Sequence, residues 1–263
     1  MNPFTRMGAP SDPPPAYTPN DSSSAPAPLP PVTTAIDDDE YSFLRQFDTI
    51  FLIDDSGSMA GSRWRQVEEA LKKIAPICAE RDEDGVDVWF LNNKKICQSI
   101  RTASEIIEIF QSTSPGGGTY TGSRLHQILN PYLRKYERHP ETTKPINIIV
   151  ITDGDSHDDV QTPITTAAQK LDRLDAPPWQ VGIQFFQVGN DENARRMLKE
   201  LDDDLSANSG DANMRDMVDT VPFKGENGGE LTHSGILKCV LGAVNRRLDR
   251  NSKEIHRPKQ GSI

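Results

Sequence analysis

The sequence predicts an α/β fold: a doubly wound, mostly parallel central sheet with helices on both faces. Two runs, residues 49–53 and 148–151, are almost wholly apolar, and a strand without polar alternation is one buried on both faces, the habit of parallel sheets. Segments with apolar residues at three- and four-residue spacing alternate with the strand-like runs, which supplies the crossover helices that parallel neighbours need. Both apolar runs stop at a carboxylate, Asp54 and Asp153, and the carboxyl ends of strands are where open α/β sheets keep their ligand sites.

The elements follow in order. Residues 1–40 are rich in Pro, Ser, Ala and Asp and hold few large apolar groups, so they cannot offset the entropy of ordering and read as a disordered tail. Residues 41–46 predict a short helix with Phe43 and Leu44 on the sheet, and 49–53 the first strand. Trp64, Val67, Leu71, Ile74 and Cys78 mark one buried helical face, and Pro76 is expected to kink that helix or end it early. In 85–91, Val86, Val88 and Phe90 alternate with Asp87 and Trp89, the pattern of a strand. Residues 103–111 read as a small helix carrying Ile106, Ile107 and Phe110. Leu125, Ile128, Leu129, Tyr132, Leu133 and Tyr136 mark a strongly amphipathic helix with Pro131 inside it. Then come a central strand at 145–152, a helix at 160–174, a strand at 181–188, a helix at 193–201, an acidic loop at 202–216 and a strand at 218–223. Ile236, Leu237, Val240, Leu241, Val244 and Leu248 give a closing helix, and 251–263 is a basic tail.

The turn after the first strand carries the chemistry. Asp54, Ser56 and Ser58 offer only oxygen, which hard cations such as Mg²⁺ favour, and Gly57 is expected to let the backbone turn tightly between them. Asp-x-Ser-x-Ser after a buried strand resembles the metal-ion-dependent adhesion site of von Willebrand factor type A domains. That resemblance implies two further pieces, a Thr in a glycine-rich loop before a helix and an Asp ending a later buried strand. Gly116-Gly117-Gly118-Thr119-Tyr120-Thr121-Gly122 carries Thr119 in the matching place, and Asp153 follows the second apolar run. One such motif is weak; three in order are specific, and the resemblance covers residues 45–250. It implies Mg²⁺, with Mn²⁺ or Ca²⁺ as alternatives, on Asp54, Ser56, Ser58, Thr119 and Asp153, the Asp residues often acting through bound water in such sites. It further implies that residues 96–100 form a short antiparallel edge strand.

The donor set also has its own logic. Three carboxylates would largely neutralise a divalent ion, whereas three hydroxyls and two carboxylates leave it electrophilic, so an Asp or Glu of a protein partner can complete the shell. Rim residues expected around the ion are Met59, Arg63, Tyr120, His157 and Asp158, with Arg63 and His157 assisting a partner carboxylate and Asp158 selecting against a second one. In the tail, Pro14-Pro15-Ala16-Tyr17 resembles the Pro-Pro-x-Tyr ligand of WW domains, whose best-known bearers are ubiquitin ligases, so Pro14, Pro15 and Tyr17 suggest an adaptor.

Composition narrows the classes. A net charge of −10 disfavours nucleic acid and anionic membranes as general partners. The three cysteines, Cys78, Cys97 and Cys239, are widely spaced and suggest neither a disulfide framework nor a zinc site. No apolar run is long enough to span a membrane and residues 1–15 lack a signal-peptide core, so the expectation is an intracellular, cytoplasmic protein. The run from Asp153 to Asp159 fails the calcium-loop pattern, with Asp158 at the sixth position and Ile164 at the twelfth, although Asp155 or Asp159 can be imagined on a second cation. No zinc-protease, nucleophile-elbow or Walker motif is present, so the chain reads as non-enzymatic. The alternatives are a metal-dependent hydrolase built on Asp54 and Asp153 with His157 or His126 as base, and a metal-independent scaffold with a vestigial site.

Overall fold

Residues 146–152 and 181–188 are buried at every position, which makes them the middle of the sheet. The structure, a computed structural model, describes residues 45–82, 84–154, 156–189, 191–208 (backbone course only from 202), 215–223 and 240. Its elements are β1 (Asp48–Ile53), α1 (Ser62–Ala79), β2 (Val86–Phe90), β3 (Cys97–Ile100), α2 (Ala103–Ser112), α3 (Thr121–Arg138), β4 (Ile146–Thr152), α4 (Gln161–Arg173), β5 (Val181–Val188), α5 (Glu192–Asn208) and β6 (Val218–Phe223).

The sheet runs β3-β2-β1-β4-β5-β6, parallel throughout except for the antiparallel edge β3. From β1 the chain builds outward through β2 and β3, then returns to lay β4 on the other side of β1. The crevice outside the carboxyl ends of β1 and β4 is therefore the switch point at which such sheets bind ligands. One face, with Phe51, Ile53, Val88, Ile149, Ile151 and Phe186, is covered by α1 and α2. The other, with Leu52, Ile148, Val150, Ile183 and Phe185, is covered by α3, α4 and Leu198 of α5. The doubly wound expectation holds in element order and in the edge strand.

Three local expectations are corrected. Helix α1 runs through Pro76 to Ala79 rather than stopping short; Pro76 denies the Lys72 carbonyl its N–H partner, but Ile74, Ala75, Cys78 and Ala79 are buried against the sheet, and that packing holds the last turn. Residues 202–208 are the last two turns of α5, not loop. The acidic triplet 202–204 suggested loop, yet Leu198, Leu201 and Leu205 keep helical spacing in the sequence. Gly57 sits in a short 3-10 turn, Gly57–Met59, and does not need glycine's freedom; a Cβ there would meet the Gly117 carbonyl at an ordinary 3.8 Å. Cys78 is a core residue as expected, its thiol pushed up to about 12 by burial and then by the nearby Asp82 charge. Pro14, Pro15 and Tyr17, both tails, Asp155 and residues 41–44 lie outside the described residues, as does the closing helix apart from Val240, which is helical and buried on the α1 face.

Candidate metal centre

Three loops at the carboxyl edge of the sheet carry the predicted donors: hydrogen bonds link Ser56, Ser58 and Asp153, Asp54 holds the Ser56 N–H, and the Thr119 loop is tied to the first turn through its backbone. The first leaves β1. The Asp54 N–H donates to the Ile151 carbonyl at 2.8 Å, so the ladder between β1 and β4 continues one residue past the strand. Asp54 is fully buried; its Oδ1 accepts the Ser56 N–H at 2.8 Å and its Oδ2 accepts the Thr152 hydroxyl at 2.8 Å. Burial pushes the Asp54 carboxyl above its ordinary value, the hydrogen bonds from Ser56 and Thr152 pull it back, and the Asp153 charge adds to the rise. Two carboxylates thus lie close enough to repel, a situation a cation relieves.

The hydroxyls form a chain. Ser56 Oγ lies 2.9 Å from Ser58 Oγ, and the Ser58 hydroxyl donates to Asp153 Oδ1 at 3.0 Å. Neighbouring ligands of an octahedral ion bound at 2.0–2.1 Å stand about 2.8–3.0 Å apart, the separation of these oxygens. The donor types fit a hard, small dication, and the spacing, which is also that of ordinary hydrogen bonds, is compatible with one. Among the described residues, a tight grouping of His, Cys, Asp or Glu side chains occurs at Asp48, Asp82 and Asp84, at the opposite edge of the sheet. There Lys144 Nζ already stands 2.6 Å from Asp82 and 2.9 Å from Asp48, so a side-chain cation fills the place of a metal. Burial nonetheless pushes Asp82 up to about 6, against the lowering effect of the Lys144 hydrogen bond.

The backbone of Thr119 is held by its neighbours. The Thr119 N–H donates to His157 Nδ1 at 3.0 Å, and the His157 N–H donates back to the Thr119 carbonyl at 2.7 Å. Ser156 Oγ lies 3.1 Å from the same carbonyl, its one proton shared between that oxygen and Asp158 Oδ1. The loop is tied to the first turn by Gly57 N–H to the Gly117 carbonyl at 3.2 Å and by Gly116 N–H to the Asp55 carbonyl at 2.7 Å. Gly117 is where glycine is needed: its φ is +91°, and a Cβ would fall 2.5 Å from Asn92 Oδ1.

Met59 and Asp158 take other places than expected. Met59 is fully buried in the core, so it lines no rim. Asp158 caps α3 from across the loop: its carboxylate accepts the Gly122 and Ser123 N–H groups at 2.9 and 2.7 Å and the Ser156 hydroxyl at 2.7 Å, because Tyr120 at the N-cap position offers no side-chain acceptor. Asp159 caps the start of α4 through Thr162. Tyr120 is half exposed, with its ring edge-on to the exposed His157 at 5.9 Å. Arg63 is half buried and bonded to Asp153 Oδ2 at 2.6 Å. His126 is exposed on α3.

Asn92 and Arg124 were not read from the sequence. The Asp55 carboxylate accepts the Asn92 and Asn93 N–H groups at 2.7 and 2.9 Å, and Asn92 Nδ2 donates to the Gly118 carbonyl at 2.9 Å. Arg124, buried on α3, donates to the Phe90 and Asn93 carbonyls at 2.6 and 2.7 Å. Together they fix the loop after β2 beside the other loops. The position of Asn92, just past the end of a predicted strand, was the available signal.

Residues 48–221 match the family model described as von Willebrand factor type A domain. No curated protein matches the chain. Among 72 matching solved chains is proximal thread matrix protein 1 from the mussel byssus, 20% identical over 67% of this chain and 43% of that one, with a TM-score of 0.42. The chain thus spans less than half the length of that protein.

Proposed function

Because the chain belongs to the von Willebrand factor type A domain family, we propose that it is a protein-binding module that grips an acidic partner residue through a Mg²⁺ ion on Asp54, Ser56, Ser58, Thr119 and Asp153. The observation that supports this most is the run of oxygens from Ser56 through Ser58 to Asp153, a hydroxyl-rich, oxygen-only donor set gathered at the carboxyl ends of β1 and β4. When bound, the ion supplies a Lewis-acidic position for a carboxylate oxygen. The chain's own groups do the rest. Asp54 and Asp153 balance the charge of a divalent ion, while the serine and threonine hydroxyls donate lone pairs without adding charge. Tyr120 and His157 stand exposed beside Thr119, where they give the partner's surface something to pack on. His157 Nδ1 is taken by the Thr119 N–H, which favours a positioning role over that of a general base and so favours binding over hydrolysis.

In this reading residues 45–250 form the domain, 1–40 and 251–263 are tails, and Pro14, Pro15 and Tyr17 offer an independent, metal-free ligand for a WW-domain protein such as a ubiquitin ligase. The compartment proposed is the cytoplasm; no described helix is long and apolar enough to cross a membrane. The test is capture of partners on the immobilised chain in Mg²⁺ and in EDTA, beside the Ser56→Ala/Ser58→Ala variant. Partners specific to this site appear in Mg²⁺ with the wild type and are lost in both other arms. A partner retained in EDTA uses another surface.

A further inference from the structure

Arg63 lies outside the set of oxygen donors, yet it is fastened to it. Its Nη1 donates to Asp153 Oδ2 at 2.6 Å and to the Ser58 carbonyl at 3.2 Å. The other oxygen of the same carboxylate, Oδ1, accepts the Ser58 hydroxyl at 3.0 Å. Asp153 therefore divides its two oxygens, one toward the hydroxyl chain and one toward a guanidinium. The Arg63 stem also has a seat. It crosses from α1 to the end of β5, where Gly189 has φ +82°, and a Cβ on Gly189 would stand 3.2 Å from Arg63 Nε. The guanidinium is thus held by Asp153 and the Ser58 carbonyl, with room for it left by Gly189, while its outer edge stays in solvent, its side chain 37% exposed against 1% for Asp153.

We propose that Arg63 is a positioning residue that holds Asp153 in a shared state, lowering the site's affinity for its cation and leaving any bound cation more electrophilic toward a ligand carboxylate. The proposal rests on the metal reading above. Its physics is simple. A guanidinium stays charged at every accessible pH and makes a strong, directional bond to a carboxylate. Charge that Asp153 shares with Arg63 is charge it does not give to the ion, and a second positive group nearby repels the first. An Asp153 free of Arg63 would neutralise the ion more fully, hold it more tightly and leave less attraction for an incoming carboxylate. Among the described residues, Asp191 also feels the Arg63 charge, and its Oδ1 accepts the Asn193 and Ala194 N–H groups at the start of α5.

A purely structural latch makes the opposite prediction, since removing a latch loosens Asp153 and weakens the ion. The experiment is titration of Mn²⁺ alone into the full chain, followed by the paramagnetic resonance of free Mn²⁺, for wild type, Arg63→Gln, Arg63→Met and Arg63→Lys. The expected result is binding about tenfold tighter in Arg63→Gln and Arg63→Met than in wild type, with Arg63→Lys close to wild type. The gap should narrow in high salt, because the guanidinium is partly exposed. Either neutral variant suffices if the other does not fold. Wild type that binds Mn²⁺, with neutral variants that bind equally or more weakly, overturns the role of Arg63 alone. Wild type that binds no Mn²⁺ overturns the metal reading and this proposal with it.

Discussion

Asp158 shows how far a residue's task depends on what surrounds it. In the sequence it is one more acid in an acidic stretch, fit to repel a second carboxylate. In the fold it supplies α3 with the cap that Tyr120 cannot, and so it fixes the loop that carries Thr119. Burial works against its charge, but the hydrogen bonds from Ser123, Ser156 and Gly122 outweigh burial and hold its carboxyl below the ordinary range. A carboxylate whose folded pKa is depressed adds stability that is complete above its unfolded pKa and is lost as pH falls through the folded one. Asp158→Ala should therefore cost about 1–2 kcal/mol at neutral pH, the usual worth of a helix cap, and progressively less as pH falls below the ordinary carboxylate range. Urea denaturation at neutral and acid pH checks this; a cost independent of pH would mean that the carboxylate's charge is not what caps the helix. Asp54, Ser56 and Ser58 could be singled out in the sequence because oxygen-only spacing at a strand end is a local signal, whereas Thr119 and Asp153 were added by the family resemblance. Met59 and Asp158 were misplaced because burial and capping partners come from residues far off in the chain.

At the scale of elements, apolar runs and periodicity located α1 to α5 and every strand but β3, since an apolar face repeats within one element and needs no partner to be seen; β3 came from the family resemblance, and the short 3-10 helix at Pro140–Thr142 was not foreseen. What else was missed were ends and interruptions. Helix α5 outran its expected stop because charge was weighed above leucine spacing. Helix α1 outran Pro76 because burial of Cys78 and Ala79 rewards the final turn more than the missing hydrogen bond costs. Pro76→Ala restores that bond and should raise stability by about 1–2 kcal/mol, seen as a higher urea midpoint at unchanged slope. A lower midpoint would show that the proline helps more by restricting the unfolded chain than it harms the helix.

Across the whole molecule the two poles of the sheet treat positive charge differently. At the amino ends of β1 and β2, Asp48, Asp82 and Asp84 are answered by Lys144, a cation built into the chain. At the carboxyl ends of β1 and β4, among the described residues, Asp54 is answered by no basic side chain in its hydrogen bonds, and Asp153 by Arg63 at one oxygen. The topology places this less neutralised pole at the switch point, with loops after β1 and β4 and before α3 joined by backbone hydrogen bonds. The central claim is that a dication belongs there, and a ligand specific for the folded state raises stability by mass action. The most direct measurement is the melting temperature of the chain as Mg²⁺ is raised into the millimolar range, beside Ser56→Ala/Ser58→Ala and Asp153→Ala. The account predicts a wild-type melting temperature that climbs steadily with Mg²⁺ and falls back in EDTA, with both variants folded and flat. A wild-type melting temperature that does not move across that range would contradict it.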